Sequence, residues 1–177
     1  MAVLDFLTRK IRYSKVLPLV EEVEKMYKRP LKVLDAGGAA GDFHKILRER
    51  GHQVLVCDID SSADVTVNLE KPLPFNDREF DLAVSLAVIE HLNNWEQFLK
   101  ELKRVSRNVI ITTPTPLGKP VLELLAFFNL VNKEHIRDHK IYLGKDSILG
   151  AGYCYSKFLF GLNSVGWYFE PDYYSGE

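Results

Sequence analysis

The sequence predicts an α/β fold of three layers, a doubly wound and mainly parallel sheet with helices on both faces. Three observations carry this prediction. Apolar, β-branched runs alternate with amphipathic helical runs through most of the chain. The first of these runs turns through glycines directly into a helical pattern, in "VLDAGGAAGDFHKIL" from Val33 to Leu47. Two adjacent aromatic-rich runs, near 152–161 and 165–170, close the chain as a strand pair.

Each element has a local reason. Residues 4–28 mix apolar and charged positions at helical spacing, and Pro18 is expected to divide or kink that helix. "LKVLDA" (31–36) is a short β-branched run read as a strand, and "DFHKILRERG" (42–51) a helix closed by Gly51. "HQVLVCDID" (52–60) is a second strand ending in acids, and "DVTVNL" (64–69) a third. The two prolines of "KPLPFND" exclude a helix interior, so 71–77 is a loop. "EFDLAVSLAVIEHL" (79–92) is a strand through about Ser85 and irregular or helical beyond it. In "NWEQFLKELKRVS" (94–106), Trp95, Phe98, Leu99, Leu102 and Val105 share one helix face, with Asn94 and Gln97 in a capping-box arrangement. "RNVIITTP" (107–114) is a buried strand stopped by Pro114, and 118–133 a helix with Pro120 in its first turn.

With 177 residues, no repeats and no Pro/Gly/Ser linker, the chain reads as a single domain over 1–177, with an N-terminal helical cap at 1–30 and a core over 31–177. A net charge of -1 gives no bulk basicity for nucleic acid, and none is expected as a partner. Cys57 and Cys154 belong to no CxxC pair and are expected to be reduced and buried. The N-terminus lacks the apolar core of a secretory signal, so a cytoplasmic location is expected. The longest apolar run, "VLELLAFFNLV", contains Glu123 and is short of the roughly 20 residues of a membrane span.

The glycine loop is the first stretch that carries chemistry. Gly37, Gly38 and Gly41 do not have the spacing of the G-x-G-x-x-G dinucleotide fingerprint. Asp35 ends the strand and Asp42 opens the helix, which makes the loop unwelcoming to a pyrophosphate and favours a ligand with a positively charged end. A second strand ending in Asp58, about twenty residues beyond the loop, suits a pair of ribose hydroxyls. Asp60 is the rival acid.

At these residues the sequence resembles the class I S-adenosylmethionine-dependent methyltransferases. Their first motif appears as Val33-Leu34-Asp35-Ala36-Gly37-Gly38-Ala39-Ala40-Gly41, with Ala39 where a middle glycine is usual. A further similarity runs through Pro72-Leu73-Pro74-Phe75, Phe80-Asp81 and Glu90-His91-Leu92, as in the type 11 and ubiquinone/menaquinone-biosynthesis-like groups, with some MetW-like likeness. The resemblance covers about Leu31 to Pro114. It implies a Rossmann-like methyltransferase fold, with a seven-stranded, mainly parallel sheet and an antiparallel C-terminal hairpin. It implies S-adenosylmethionine as cofactor, bound by Asp35, Gly37, Gly38, Gly41, Asp58, Ile59, Asn68, Leu69 and Ser85. In that scheme Asp58 takes the ribose, Ile59 lies against the adenine, and Asn68 offers its side-chain oxygen to the adenine amino group. Residues 85–88 line the methionine part.

Methyl transfer by in-line displacement needs alignment, and for an oxygen nucleophile a base. The candidate bases are His91, His135 and His139; His44 and His52 read as structural. His135 and His139 lie four apart without an obvious third ligand, so no metal site is expected. The acceptor side is expected in the N-terminal helices and in an insert near 115–150. Phe6, Leu7, Tyr13, Phe127, Phe128, Tyr142, Tyr153 and Tyr155 there suggest a hydrophobic or aromatic small-molecule acceptor, although Phe127 and Phe128 are expected to pack on the sheet. Two other functions stay open: a non-catalytic module of the same fold that binds S-adenosylmethionine or a partner, and an NAD(P)-dependent oxidoreductase.

Overall fold

The computed structural model describes residues 3–127 and 138–171. Seven strands form one sheet in the order β3-β2-β1-β4-β5-β7-β6. The strands are β1 Lys32–Ala36, β2 Gln53–Asp58, β3 Val65–Thr66, β4 Phe80–Leu86, β5 Ser106–Pro114, β6 Cys154–Phe158 and β7 Asn163–Phe169. Pairing is parallel from β3 through β5, while β7 runs antiparallel to β5 and β6 antiparallel to β7. The order reverses between β1 and β4, so the ends of these two strands open a crevice.

Strand periodicity sorts the core into two layers. Val33, Leu82, Val84 and Ile110 face one side, where α1 (Val3–Tyr27) and α2 (Phe43–Glu49) supply Tyr13, Val16, Val20, Val23, Phe43 and Leu47. Leu34, Ala83, Val109 and Ile111 face the other. There α3 (Trp95–Val105) contributes Phe98, Leu99, Leu102 and Val105, and α5 (Lys145–Gly150) contributes Ile148. A further helix, α4 (Gly118–Phe127), follows β5.

Several local expectations are corrected. Pro18 does not divide the first helix, which runs unbroken from Val3 to Tyr27. Pro18 and Ser14, whose carbonyl loses its donor four residues on, both lie on the exposed face, where water can take that bond. The third strand is only two residues long. Asn94 makes no side-chain capping bond, so the capping box is absent. The helix Lys145–Gly150 lies between the expected elements. Cys57 is buried, but Cys154 is exposed, because it begins the edge strand β6. Phe127 is 73% exposed rather than packed on the sheet. Phe128 and the end of the expected 118–133 helix lie outside the described residues.

Two side-chain clamps hold the long connections. Arg104 bonds the carbonyls of Leu73 and Phe75 and the carboxylates of Asp77 and Glu101, fixing the proline-containing loop. Arg29 forms a bidentate pair with Asp81 at 2.8 Å on both branches, where the chain enters β1. No described helix is long and apolar enough to cross a membrane.

Candidate functional site

A cavity of about 810 Å³ opens beyond the C-terminal ends of β1 and β4. Its floor is the loop that follows β1. Gly37 alone in this loop has a positive φ, at +82°, and its amide donates to the Cys57 carbonyl at 2.7 Å. A side chain there would collide with Val88. Gly38 is required for a different reason: a Cβ would run into the Asp35 carboxylate. Ala39 needs no left-handed backbone. Its amide donates to Asp58 Oδ2 at 3.1 Å, so the alanine fits the loop without strain.

The cavity lining includes Asp35, Gly37, Gly38, Gly41, Asp58, Ile59, Asn68 and Leu69 from the expected cofactor set. Ser85 does not reach it: β4 is covered on both faces, and the Ser85 hydroxyl is fully buried in the sheet. Leu86, Ala87 and Val88 line the cavity instead. The Asn68 side-chain oxygen already accepts the Glu70 amide at 2.9 Å. Asp60 faces away into its own turn, accepting the Ser62 amide. Of the candidate bases, His91 and His139 line the cavity, and His135 lies outside the described residues.

Asp35 is 2% exposed, and its Oδ2 has no hydrogen-bond partner among the described residues. His44 Nδ1 stands 3.7 Å away, beyond bonding distance. Burial pushes the Asp35 pKa up, opposed chiefly by His44. Glu90 behaves alike: it is 1% exposed, its Oε2 is unpartnered among the described residues, and burial pushes it up to about 7. His91 and His139 stack edge to face at 4.9 Å. His91 Nδ1 faces the Asp138 carbonyl at 3.3 Å, which places a proton on that nitrogen. His139 Nδ1 lies 3.0 Å from the Tyr142 hydroxyl. Glu90, His91 and His139 bring one potential metal-ligand atom each within 4.8 Å of one another.

The far wall comes from α1. Thr8, Arg9, Arg12 and Tyr13 line the cavity. The Tyr13 hydroxyl donates to Asp42 at 2.6 Å, and Arg9 stands 3.6 Å from the same carboxylate. These contacts fasten α1 to the start of α2 and hold the Asp42 carboxyl below the usual range, Tyr13 being the larger cause. Sequence reasoning missed Arg12 and Glu90 as cavity residues. A charged residue at inward helical spacing among the apolar positions of α1 was the only available signal for Arg12.

Residues 34–109 match the family model described as a methyltransferase domain. With the sheet order and the crevice at the reversal point, this defines a methyl-transferring enzyme of α/β fold. The match supports a class I S-adenosylmethionine-dependent methyltransferase, with S-adenosylmethionine as the cofactor. The fold is similar to that of a protein from Pyrococcus horikoshii OT3, at 20% identity over 91% of this chain and 90% of that one, with a TM-score of 0.62. It is also similar to magnesium protoporphyrin IX methyltransferase from Synechocystis PCC 6803 with bound SAH, at 16% identity over 92% and 86% of the two chains, with a TM-score of 0.60. An S-adenosylmethionine-dependent methyltransferase from Mesorhizobium loti aligns at 14% identity over 83% and 95%, with a TM-score of 0.58. No curated protein matches the sequence.

The donor set suits this cofactor. A buried carboxyl at Asp35, whose Oδ2 has no hydrogen-bond partner among the described residues, faces a space that the absence of side chains at Gly37 and Gly38 keeps open, which fits a ligand with a cationic end. Asp58 keeps a carboxylate at the end of β2, beside the apolar Ile59 and Leu69.

Proposed function

We propose that the protein methylates a small-molecule acceptor by in-line displacement. The observation that carries this reading is the single continuous cavity whose β2 end holds Asp58 and Ile59 and whose β4 end holds Glu90, His91 and His139. S-adenosylmethionine supplies a methyl group on a sulfonium that is already an activated leaving group. In this reading Asp58 holds the ribose hydroxyls, and Ile59 and Leu69 flank the adenine. Asn68 meets the base edge, either with its amide or with the second lone pair of an oxygen that already serves Glu70. Asp35, Gly37, Gly38 and Gly41 receive the methionine end, with Asp35 meeting the ammonium.

The acceptor side is formed by α1 and by Leu122, His139 and Lys140. Leu86, Val88, Leu92, Pro114 and Leu122 give it an apolar lining, which supports a hydrophobic or aromatic acceptor. His91 and His139 are the groups placed to take a proton from it. A concave cavity of this size suits a small molecule rather than a nucleic acid. Two free cysteines agree with a reducing, cytoplasmic setting.

Calorimetric titration with S-adenosylmethionine and with NADH tests the cofactor side; micromolar binding of the first and none of the second is expected. Incubation with methyl-labelled S-adenosylmethionine and a metabolite extract, followed by mass spectrometry, tests transfer. Cofactor binding with no labelled small molecule would favour a non-catalytic binding module.

A further inference from the structure

Among the described residues, one cation in the cavity wall has no counter-ion within pairing distance. Arg12 sits on the inward side of α1, next to Tyr13, and lines the cavity. The other fixed cations of the wall are occupied: Arg9 faces Asp42 at 3.6 Å, and Lys140 pairs with Glu70 at 3.2 Å. Among the described residues Arg12 makes no side-chain hydrogen bond and no ion pair. Its main electrostatic partner is Glu90, whose own burial leaves it only partly ionised near neutral pH. A guanidinium does not shed its proton near neutrality, and a cation set in a cavity wall without a close counter-ion is stabilised by an anion that enters the cavity. The missing partner is therefore expected to arrive with a ligand.

The position of Arg12 indicates which ligand. Glu90 follows β4, on the side where Pro114 ends β5 and Asn163 begins β7. Asp58 and Ile59 lie at the end of β2, on the other side of β1. With neighbouring strands about 4.8 Å apart, β2 and β4 are roughly 10 Å from each other. Arg12 thus stands at the acceptor end. One unpaired guanidinium balances one negative charge, and its planar fork matches a carboxylate.

We propose that Arg12 receives a carboxylate of the methyl acceptor, so that the enzyme acts on small organic acids rather than on neutral molecules. The apolar lining around Leu92 and Leu122 then takes the body of the acid. This inference rests on the methyl-transfer reading of the cavity.

The test uses the full chain and its Arg12→Gln and Arg12→Lys variants, with folding checked by circular dichroism. S-adenosylhomocysteine and 5′-methylthioadenosine, which lacks the amino-acid carboxylate, are titrated first. Benzoate, phenylacetate and 4-hydroxybenzoate, with the amide of each, are then titrated at saturating S-adenosylhomocysteine. At least one acid is expected to bind wild type tenfold or more tightly than its amide. Arg12→Gln should weaken that acid at least tenfold and Arg12→Lys less, with S-adenosylhomocysteine affinity held within twofold. Equal binding of acids and amides, or no acid binding, overturns the proposal. So does a variant that loses S-adenosylhomocysteine while keeping 5′-methylthioadenosine, since Arg12 would then serve the cofactor's own carboxylate. If wild type binds no S-adenosylhomocysteine, the cofactor reading falls as well; if it does bind, a failure among the acids removes only the assignment of Arg12.

Discussion

Asp58 accepts the backbone amide of Ala39 at 3.1 Å, so the acid that ends β2 holds the glycine loop at the position where glycine is missing. The bond is charge-assisted, and its loss is expected to cost about 1.5 to 3 kcal/mol. Asp58→Ala should weaken S-adenosylhomocysteine at least tenfold by calorimetry and lower the unfolding midpoint. Asp58→Asn, which keeps an acceptor oxygen, should do less. Unchanged affinity in Asp58→Ala would separate the loop contact from cofactor binding.

Neighbouring loop positions should respond differently in cofactor affinity. Gly38→Ala places a methyl group against the buried Asp35 carboxylate and should cost about 1 to 3 kcal/mol, with loss of cofactor affinity. Ala39→Gly should leave affinity unchanged and cost about 0.5 to 1 kcal/mol through chain entropy. Denaturant melts and titrations of both variants check this; a large gain in affinity for Ala39→Gly would show that the alanine obstructs the loop.

Glu90 should make stability fall as pH rises. Its folded pKa, about 7, lies above the ordinary 4.5 because burial penalises the charged form. Below about 4.5 it is protonated in both states, and between 4.5 and 7 the folded state binds the extra proton. The stabilisation is lost across that window, by roughly 3 kcal/mol in all. Glu90→Gln stays neutral, so it should match wild type near pH 4 and exceed it near pH 8 in ligand-free melts. Parallel profiles for the two proteins would refute this.

Glu24 has the opposite sign. Hydrogen bonds from Arg50, and then from His52, hold its carboxyl below the usual 4.5. Its contribution is present above that value and disappears as pH falls through the lower, folded-state pKa. The pair is partly exposed, so the effect is about 1 kcal/mol or less. Glu24→Gln should therefore lose stability at pH 7 and converge on wild type in acid, as read by urea midpoints over that range.

The sheet was legible because its signals are local. Val33-Leu34 and Leu82-Ala83-Val84 alternate between layers, and each residue's neighbours in sequence announce the pleat. The loop around Gly37 and the acid at Asp58 were legible because strand ends concentrate them within a short stretch. Arg12 and Glu90 were not. Arg12 looks like an ordinary helix charge until the fold turns it toward β4, and Glu90 looks like a surface acid until the segment near Lys140 covers it. Pro18 misled for a related reason: its cost depends on whether the carbonyl it strands meets protein or water, and that is settled by tertiary packing.

The fastening of α1 by Tyr13 and Arg9 to Asp42 has a thermodynamic consequence. The helix is both a layer of the core and a wall of the cavity, so docking the helix and filling the cavity draw on the same free energy. Ligands that touch this wall protect the amino-terminal segment from opening, and changes that loosen the segment reduce affinity in proportion to the fraction of molecules whose helix is undocked. In effect, the amino-terminal helix behaves as a component of the binding constant.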